Sequence, residues 1–416
     1  MRIAIIGSGI AGLTAAYLLN RQHDITLFEA EDRLGGHTAT VDVEEGDRPL
    51  AIDTGFIVYN DWTYPNFIRL MNELGIESQP TSMGFSVRCD KEDFEYAGNN
   101  LNSLFAQRAN LVSAEHWRML WDIVRFNRNA LKDWQAGRLD DGLTLGEYLP
   151  ANGYSAEFAN RYLVPMGSAI WSASMAQMLE FSVSFFIRFF FNHGLLNIFN
   201  RPQWRVIRGG SREYIGPLTN SFASKIRLAT PVRSVRRTAE GVELCTDSGE
   251  RQLFGEVVFA CHSDQALQCL ADVSDAERDI LGAIPYAKNS VVLHTDTDLL
   301  PRHRRSWSSW NYRLREEHDQ LPVLTYNMNI LQSLQTERTY CVTLNAEHRI
   351  DPDKILRRFE YAHPQFSVAG TRAQEQWGRI NGVNRTWFCG AYWANGFHED
   401  GVTSALRVAE GLGVKW

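Results

Sequence analysis

The first forty residues constrain this chain more than any other stretch. Ile3-Ala4-Ile5-Ile6 is a short apolar run, followed by Gly7-Ser8-Gly9-Ile10-Ala11-Gly12 and an apolar helical segment through Leu19. A second run, Ile25-Thr26-Leu27-Phe28, ends on the acid Glu29. Strand, glycine loop, helix, strand and acid, in that order, make a unit that holds a dinucleotide. Gly7 permits the tight turn, Gly9 lets the backbone approach a pyrophosphate, and Gly12 lets helix and strand pack closely. The helix start, with Ser8, Ile10 and Ala11 in the same loop, offers unpaired N–H groups and a positive dipole end to the phosphates. Glu29 stands where an acid accepts both ribose hydroxyls of an adenosine. A glycine-rich turn of some other α/β protein is the competing reading, and the flanking strand, helix and acid disfavour it.

A second glycine loop follows at Arg33-Leu34-Gly35-Gly36-His37-Thr38. The pattern acid-Ala-x-x-Arg-x-Gly-Gly-x-x-x-Thr, here Glu29-Ala30 through Thr40, resembles the FAD signature of the flavin amine oxidase superfamily. That superfamily includes monoamine oxidases, protoporphyrinogen oxidases and phytoene desaturases. Further on, Trp387-Phe388-Cys389-Gly390-Ala391 resembles the strand that ends near the flavin. Gly396-Phe397-His398-Glu399-Asp400-Gly401-Val402 resembles the loop and helix start that close over the isoalloxazine ring. This last run is similar to that of a bacterial subgroup associated with cyclopropane and furan fatty acid modification.

The resemblance implies an α/β fold: a Rossmann-like FAD-binding domain of the glutathione-reductase type with an inserted α+β substrate domain. The FAD-binding domain is expected at 1–63, 205–284 and 386–416, and the substrate domain at 64–204 and 285–385. The resemblance places Ala30, Arg33, Gly35, Gly36, His37 and Thr38 at the cofactor, with Val232 at the adenine through its backbone. It places Thr54, Gly55 and Gly390 near the flavin, although Thr54-Gly55 also reads as a plain turn after a buried strand. His398 is expected to donate its backbone N–H to the C2 carbonyl, Phe397 to face the substrate side, and the helix starting near Val402 to oppose negative charge there.

Three departures from the amine oxidase pattern shape the expected chemistry. The position of the lysine near flavin N5 is Val291, and Lys288 falls three places early on a strand, where odd offsets point to the opposite face. The tyrosine that helps cage an amine is Phe397. His37 replaces the arginine after Gly-Gly, which leaves one pyrophosphate or interdomain contact open. The expected activity is therefore desaturation of a hydrophobic substrate, a monounsaturated acyl chain of a phospholipid. An oxygen-dependent amine or small-molecule oxidase, and a non-catalytic flavoprotein partner of a lipid methyltransferase, are the alternatives. Removal of an allylic proton requires a base. His398 and Glu399 are the nearest titratable residues, both open to a purely structural reading, and His193 is a further candidate.

No second GxGxxG follows a strand, so no NAD(P) site is expected; Gly209-Gly210 is not such a fingerprint. The six cysteines lack metal spacing, and none matches a flavin-linking cysteine, so no metal and a non-covalent FAD are expected. The formal charge of −7 argues against a nucleic-acid partner. Met1 leads straight into the first strand and no apolar run reaches membrane-spanning length, which reads as cytoplasmic. Residues 116–134 carry Trp117, Leu120, Trp121, Val124, Leu131 and Trp134 on one stripe, with Arg118, Arg125, Arg128 and Lys132 on another. Such a helix either lies on an anionic membrane surface or packs on a core. Residues 181–199, aromatic nearly all round, suit a greasy cavity wall, a shallow membrane contact or a buried core helix.

Overall fold

The computed structural model describes residues 1–46, 48–139, 142–315 and 320–416. A five-stranded parallel sheet organises the dinucleotide half: β1 (Arg2–Ile6), β2 (Asp24–Phe28), β3 (Ile226–Arg227), β4 (Glu256–Phe259) and β5 (Thr386–Phe388). Their spatial order is β3-β2-β1-β4-β5. Past Arg2, Asp24 and Glu256 at their starts, the central strands are apolar except for Thr26, because both faces are covered. The helices Ile10–Leu19 and His398–Gly411 pack on one face through Leu13, Ala16, Val402 and Ala405. The antiparallel sheet Val232–Arg237, Val242–Thr246 and Arg251–Phe254 covers the other through Val235, Leu244 and Phe254.

The second half is a seven-stranded sheet under a helical layer. Its strand order is Ile355–Pro364, Tyr286–His294, Cys341–Leu344, Val323–Asn327, Trp310–Arg313, Phe85–Cys89 and Phe94–Ala97. Trp310–Arg313 and Phe85–Cys89 pair in parallel; the other pairings are antiparallel. The helical layer includes Ala114–Gln135 and Val183–Asn192, which meet where Trp134 and Phe191 approach to 4.8 Å between ring centroids. Val183–Asn192 starts on Ser182, whose hydroxyl accepts from Phe185 N. It buries Phe185, Phe186, Ile187, Phe189 and Phe190 while Arg188 points to solvent.

The helix Pro65–Glu73 packs on the dinucleotide half, where Phe67, Leu70 and Met71 share a core with Leu13 of the first helix and Val402 of the last helix. Residues 211–225 form a 3-10 turn (Ser211–Tyr214), a short helix Ile215–Thr219 and a second 3-10 turn (Asn220–Lys225) rather than one continuous helix. Gly216-Pro217 explains the break, since proline lacks the N–H that an uninterrupted helix would use. Among the described residues no helix is long and apolar enough to cross a membrane.

Candidate cofactor and substrate site

The first glycine loop has the three geometries a pyrophosphate cradle needs. Gly7 adopts φ +103°, and a Cβ there would meet the Ala260 carbonyl and Cys261 N at 3.0 Å. A Cβ on Gly12 would lie 2.0 Å from the Gly7 oxygen. A Cβ on Gly9 would meet nothing within 4 Å, so this residue opens onto free space. Gly9 caps the first helix without any side-chain bond. The N–H groups of Ile10, Ala11 and Gly12 are left without intrahelical acceptors, as at every helix start. Glu29 lies at the end of β2; its Oε2 accepts from Ser8 N (2.8 Å) and Ser8 Oγ (2.5 Å), and its Oε1 from Glu31 N (2.9 Å). Lone pairs remain on that carboxylate for a diol. Ala30 is exposed beside it.

The second glycine loop docks on the first. Gly35 N donates to the Ser8 carbonyl at 3.1 Å, and a Cβ on Gly36 would come within 3.3 Å of Gly9 Cα. Arg33 holds this loop by donating to the Gly36 and Thr38 carbonyls at 3.0 and 3.4 Å. Phe56 N donates to the His37 carbonyl at 2.7 Å, and a Cβ on Gly55 would sit 2.1 Å from that oxygen. Thr54 is buried and its hydroxyl meets Tyr361 Oη at 3.0 Å. Thr54 and Gly55 thus clamp the second loop from below. Val232 begins a strand of the covering sheet, and its carbonyl accepts from Cys269 Sγ at 3.3 Å.

The last helix brings a second N-terminus to the same place. Gly401 crosses the start of the first helix so closely that a Cβ would lie 2.7 Å from Ile10 Cγ2. Gly390 N donates to Ser404 Oγ at 2.8 Å, and Val402 is fully buried between the two helices. Asp400 accepts from Phe397 N (2.9 Å) and Asn395 N (3.1 Å), which folds the Asn395–Phe397 loop back over the helix start. Desolvation pushes its carboxyl up to about 7.

The two residues weighed as catalytic bases have other work. Glu399 accepts from Asn66 Nδ2 (2.8 Å) and from the N–H groups of Asn66 and Phe67 (3.2 and 2.8 Å). It caps the helix Pro65–Glu73. The His398 ring stacks on Phe56 at 3.5 Å, and its Nε2 meets Thr38 Oγ1 (3.1 Å) and Tyr214 Oη (3.3 Å). Burial holds this imidazole well below its usual range. Its side chain fixes the loop against Phe56, Thr38 and Tyr214.

The substrate-side wall is aromatic. Phe397 lies 5.4 Å from Phe189, at 24°, and Phe185 packs on Phe366 at 5.4 Å. His193 stacks on Phe189 at 3.8 Å and its ring centroid is 6.0 Å from that of Phe397. Its Nδ1 lies 3.0 Å from the Phe189 carbonyl. A carbonyl only accepts, so Nδ1 carries the proton and Nε2 the lone pair. Burial lowers this imidazole to about 4. Val291 is buried in the strand Tyr286–His294, whereas Lys288 faces solvent and pairs with Glu360 at 2.8 Å. His37 turns toward the substrate sheet: its ring centroid is 5.3 Å from those of Tyr361 and His363 and 5.9 Å from that of His262. The histidine in the arginine position therefore makes the interdomain contact. His262, His363 and Tyr214 were not singled out by sequence; they come from distant segments with no motif to link them.

Two helix N-termini aimed at one opening, a glycine cradle and a strand-end acid define a dinucleotide-binding flavoprotein of the Rossmann type, and these residues fit FAD. The family described as flavin containing amine oxidoreductase matches residues 10–313, and the chain belongs to that family. The family's description is that of flavin-containing oxidoreductases. The chain is 24% identical over 262 residues to an L-amino acid dehydrogenase of Synechocystis sp., covering 60% of this chain and 53% of that protein. It spans about half the length of the curated relatives it matches. A redesigned putrescine oxidase superposes with a TM-score of 0.72 at 15% identity, over 99% of this chain and 98% of that one. A CLA-producing fatty acid isomerase from P. acnes superposes with a TM-score of 0.69 at 15% identity, over 97% and 96%. These two likenesses establish the fold.

Proposed function

We propose that this enzyme dehydrogenates a carbon–carbon bond of a hydrophobic substrate, a monounsaturated acyl chain of a phospholipid. The observation that carries this reading is the contact of Phe397 with Phe189, which joins the loop 395–397 to an apolar aromatic helix. The replacement of the N5 lysine position by buried Val291 supports it. The shared fold of a fatty acid isomerase is consistent with an acyl-chain substrate.

When bound, FAD supplies the hydride acceptor. Phe189, Phe185, Phe366 and Phe397 exclude water and hold an acyl chain by dispersion. The start of the last helix opposes negative charge. His193 receives the allylic proton at Nε2, since its Nδ1–H is committed to the Phe189 carbonyl and burial keeps the ring neutral.

The test is anaerobic. The yellow protein is mixed with vesicles of monounsaturated phospholipid while flavin absorbance is followed. Bleaching with a lipid product two mass units lighter supports the proposal. Bleaching by amines alone returns the enzyme to the oxidase branch. A flavin that no lipid or amine reduces points to a partner role.

A further inference from the structure

The long helix Ala114–Gln135 packs Trp134 inward but leaves Trp117 and Trp121 exposed. Its packed face is Met119, Asp122, Phe126 and Ala130. Trp117, Trp121 and Val124 lie on the opposite, outward face, 51, 69 and 49% exposed. Leu111 and Val112, in the turn just before the helix, extend the patch; Val112 is 89% exposed. The Trp117 indole N–H donates to the Leu111 carbonyl at 2.9 Å, so turn and helix form one braced surface. Five large apolar side chains held together in solvent are an interaction surface.

Among the described residues, the charges around the patch that lack an ion-pair partner are basic. Arg128 and Lys132 continue the stripe one and two turns beyond Val124, both exposed, and no ion pair engages either among the described residues. Arg108 flanks the other end, donating only to the Phe105 carbonyl and Asn102 Oδ1. Every acid of the helix is already paired: Glu115 with Arg161, Asp122 with Arg125, and Asp133 with Arg138. The chain as a whole carries −7, so this basic face stands against the net charge.

We infer that this face seats the protein on the surface of an anionic lipid bilayer. The exposed tryptophans and Val112 enter the headgroup boundary, and Arg108, Arg128 and Lys132 meet lipid phosphates. An outward helix face that carries its apolar side chains beside cations unpaired among the described residues suits a plane. A symmetric contact between two copies would oppose each copy's cations to the other's. The inference does not rest on the identity of the substrate, because lipid binding is read without turnover.

The experiment is flotation of the FAD-loaded protein with vesicles of phosphatidylcholine alone or with about a third phosphatidylglycerol. Wild type is expected to float with the anionic vesicles and to be released by high salt. Trp117→Ser with Trp121→Ser is expected to lower partitioning about tenfold or more. Arg128→Glu with Lys132→Glu is expected to remove the preference for anionic lipid. Flavin content, unchanged in both variants, reports intact folding. Failure of wild type to float, or variants that float like wild type, would overturn the inference. So would tryptophan variants that turn a lipid-free oligomer into a monomer, which would make the face a contact between copies.

Discussion

Ser8 gives both its backbone N–H and its hydroxyl to one oxygen of Glu29, at 2.8 and 2.5 Å. The acid at the end of β2 therefore shapes the phosphate loop as well as offering an acceptor for the ribose. Glu29→Ala removes both functions. FAD affinity is expected to fall by about 1.5–3 kcal/mol, the usual worth of a hydrogen bond to a charged group. Fluorescence titration of apoprotein with FAD measures it; an unchanged Kd would place the adenosine elsewhere.

The Phe397–Phe189 contact predicts a separation of binding from turnover. Phe397→Tyr adds a hydroxyl to an apolar wall without touching the glycine cradle. FAD should stay bound while the rate of flavin reduction by lipid falls. His193→Gln should do the same more severely, on the order of 10²–10⁴-fold for loss of a general base. Stopped-flow absorbance of the loaded variants separates the two effects, and a His193→Gln protein with the wild-type rate would remove His193 from the mechanism.

Arg237 predicts a large stability loss far from the chemistry. It pairs bidentately with Glu277, both side chains at most 6% exposed, and its Nε reaches Asp272 at 3.0 Å. Arg237→Ala strands a buried carboxylate and should cost about 3–5 kcal/mol. Urea unfolding of the two proteins would show it as a lower midpoint.

Acidity should destabilise the fold well above the usual carboxylate range. Burial lowers His37, His116, His193, His262 and His294 to about 4 and His363 to about 3. Between pH 4 and 6.5 the unfolded chain then binds more protons at these sites than the folded one, so stability rises with pH across that window. Asp53 and Asp400 act in the opposite sense, since desolvation raises them to about 6 and about 7. The histidines outnumber them. Denaturation midpoints that are equal at pH 5 and pH 7 would contradict this balance.

Non-covalent attachment is tested by acid precipitation, with free FAD expected in the supernatant. Cys389, inside the core beyond β5, is fully buried and offers no accessible thiol. Flavin that stays with the pellet would show a covalent link.

Local patterns carried much of the dinucleotide half into view. Gly7, Gly9, Gly12 and Glu29 are read from neighbours within one βαβ unit, where spacing alone dictates geometry. Long-range partners were not legible. Tyr214 reaches His398 and Thr38 from a separate segment, and His262 reaches His37 across the sheet. The partners of Glu399 were hidden because the sequence gives no sign that the Asn66 and Phe67 amides wait for it. The stripe of Trp117 and Trp121 was ambiguous for a similar reason. Apolar residues occur on both sides of that helix, and only tertiary packing shows that Phe126 faces in.

The crossing of Gly401 over Ile10 also bears on biosynthesis. The space beside the first glycine loop is bordered by residues far apart in sequence, so a nascent chain still on the ribosome lacks one side of it until the last helix is made. Cofactor capture is expected to await that helix. Flavin loading then reports that translation has run through that helix, and a prematurely terminated product would remain colourless and open to proteolysis.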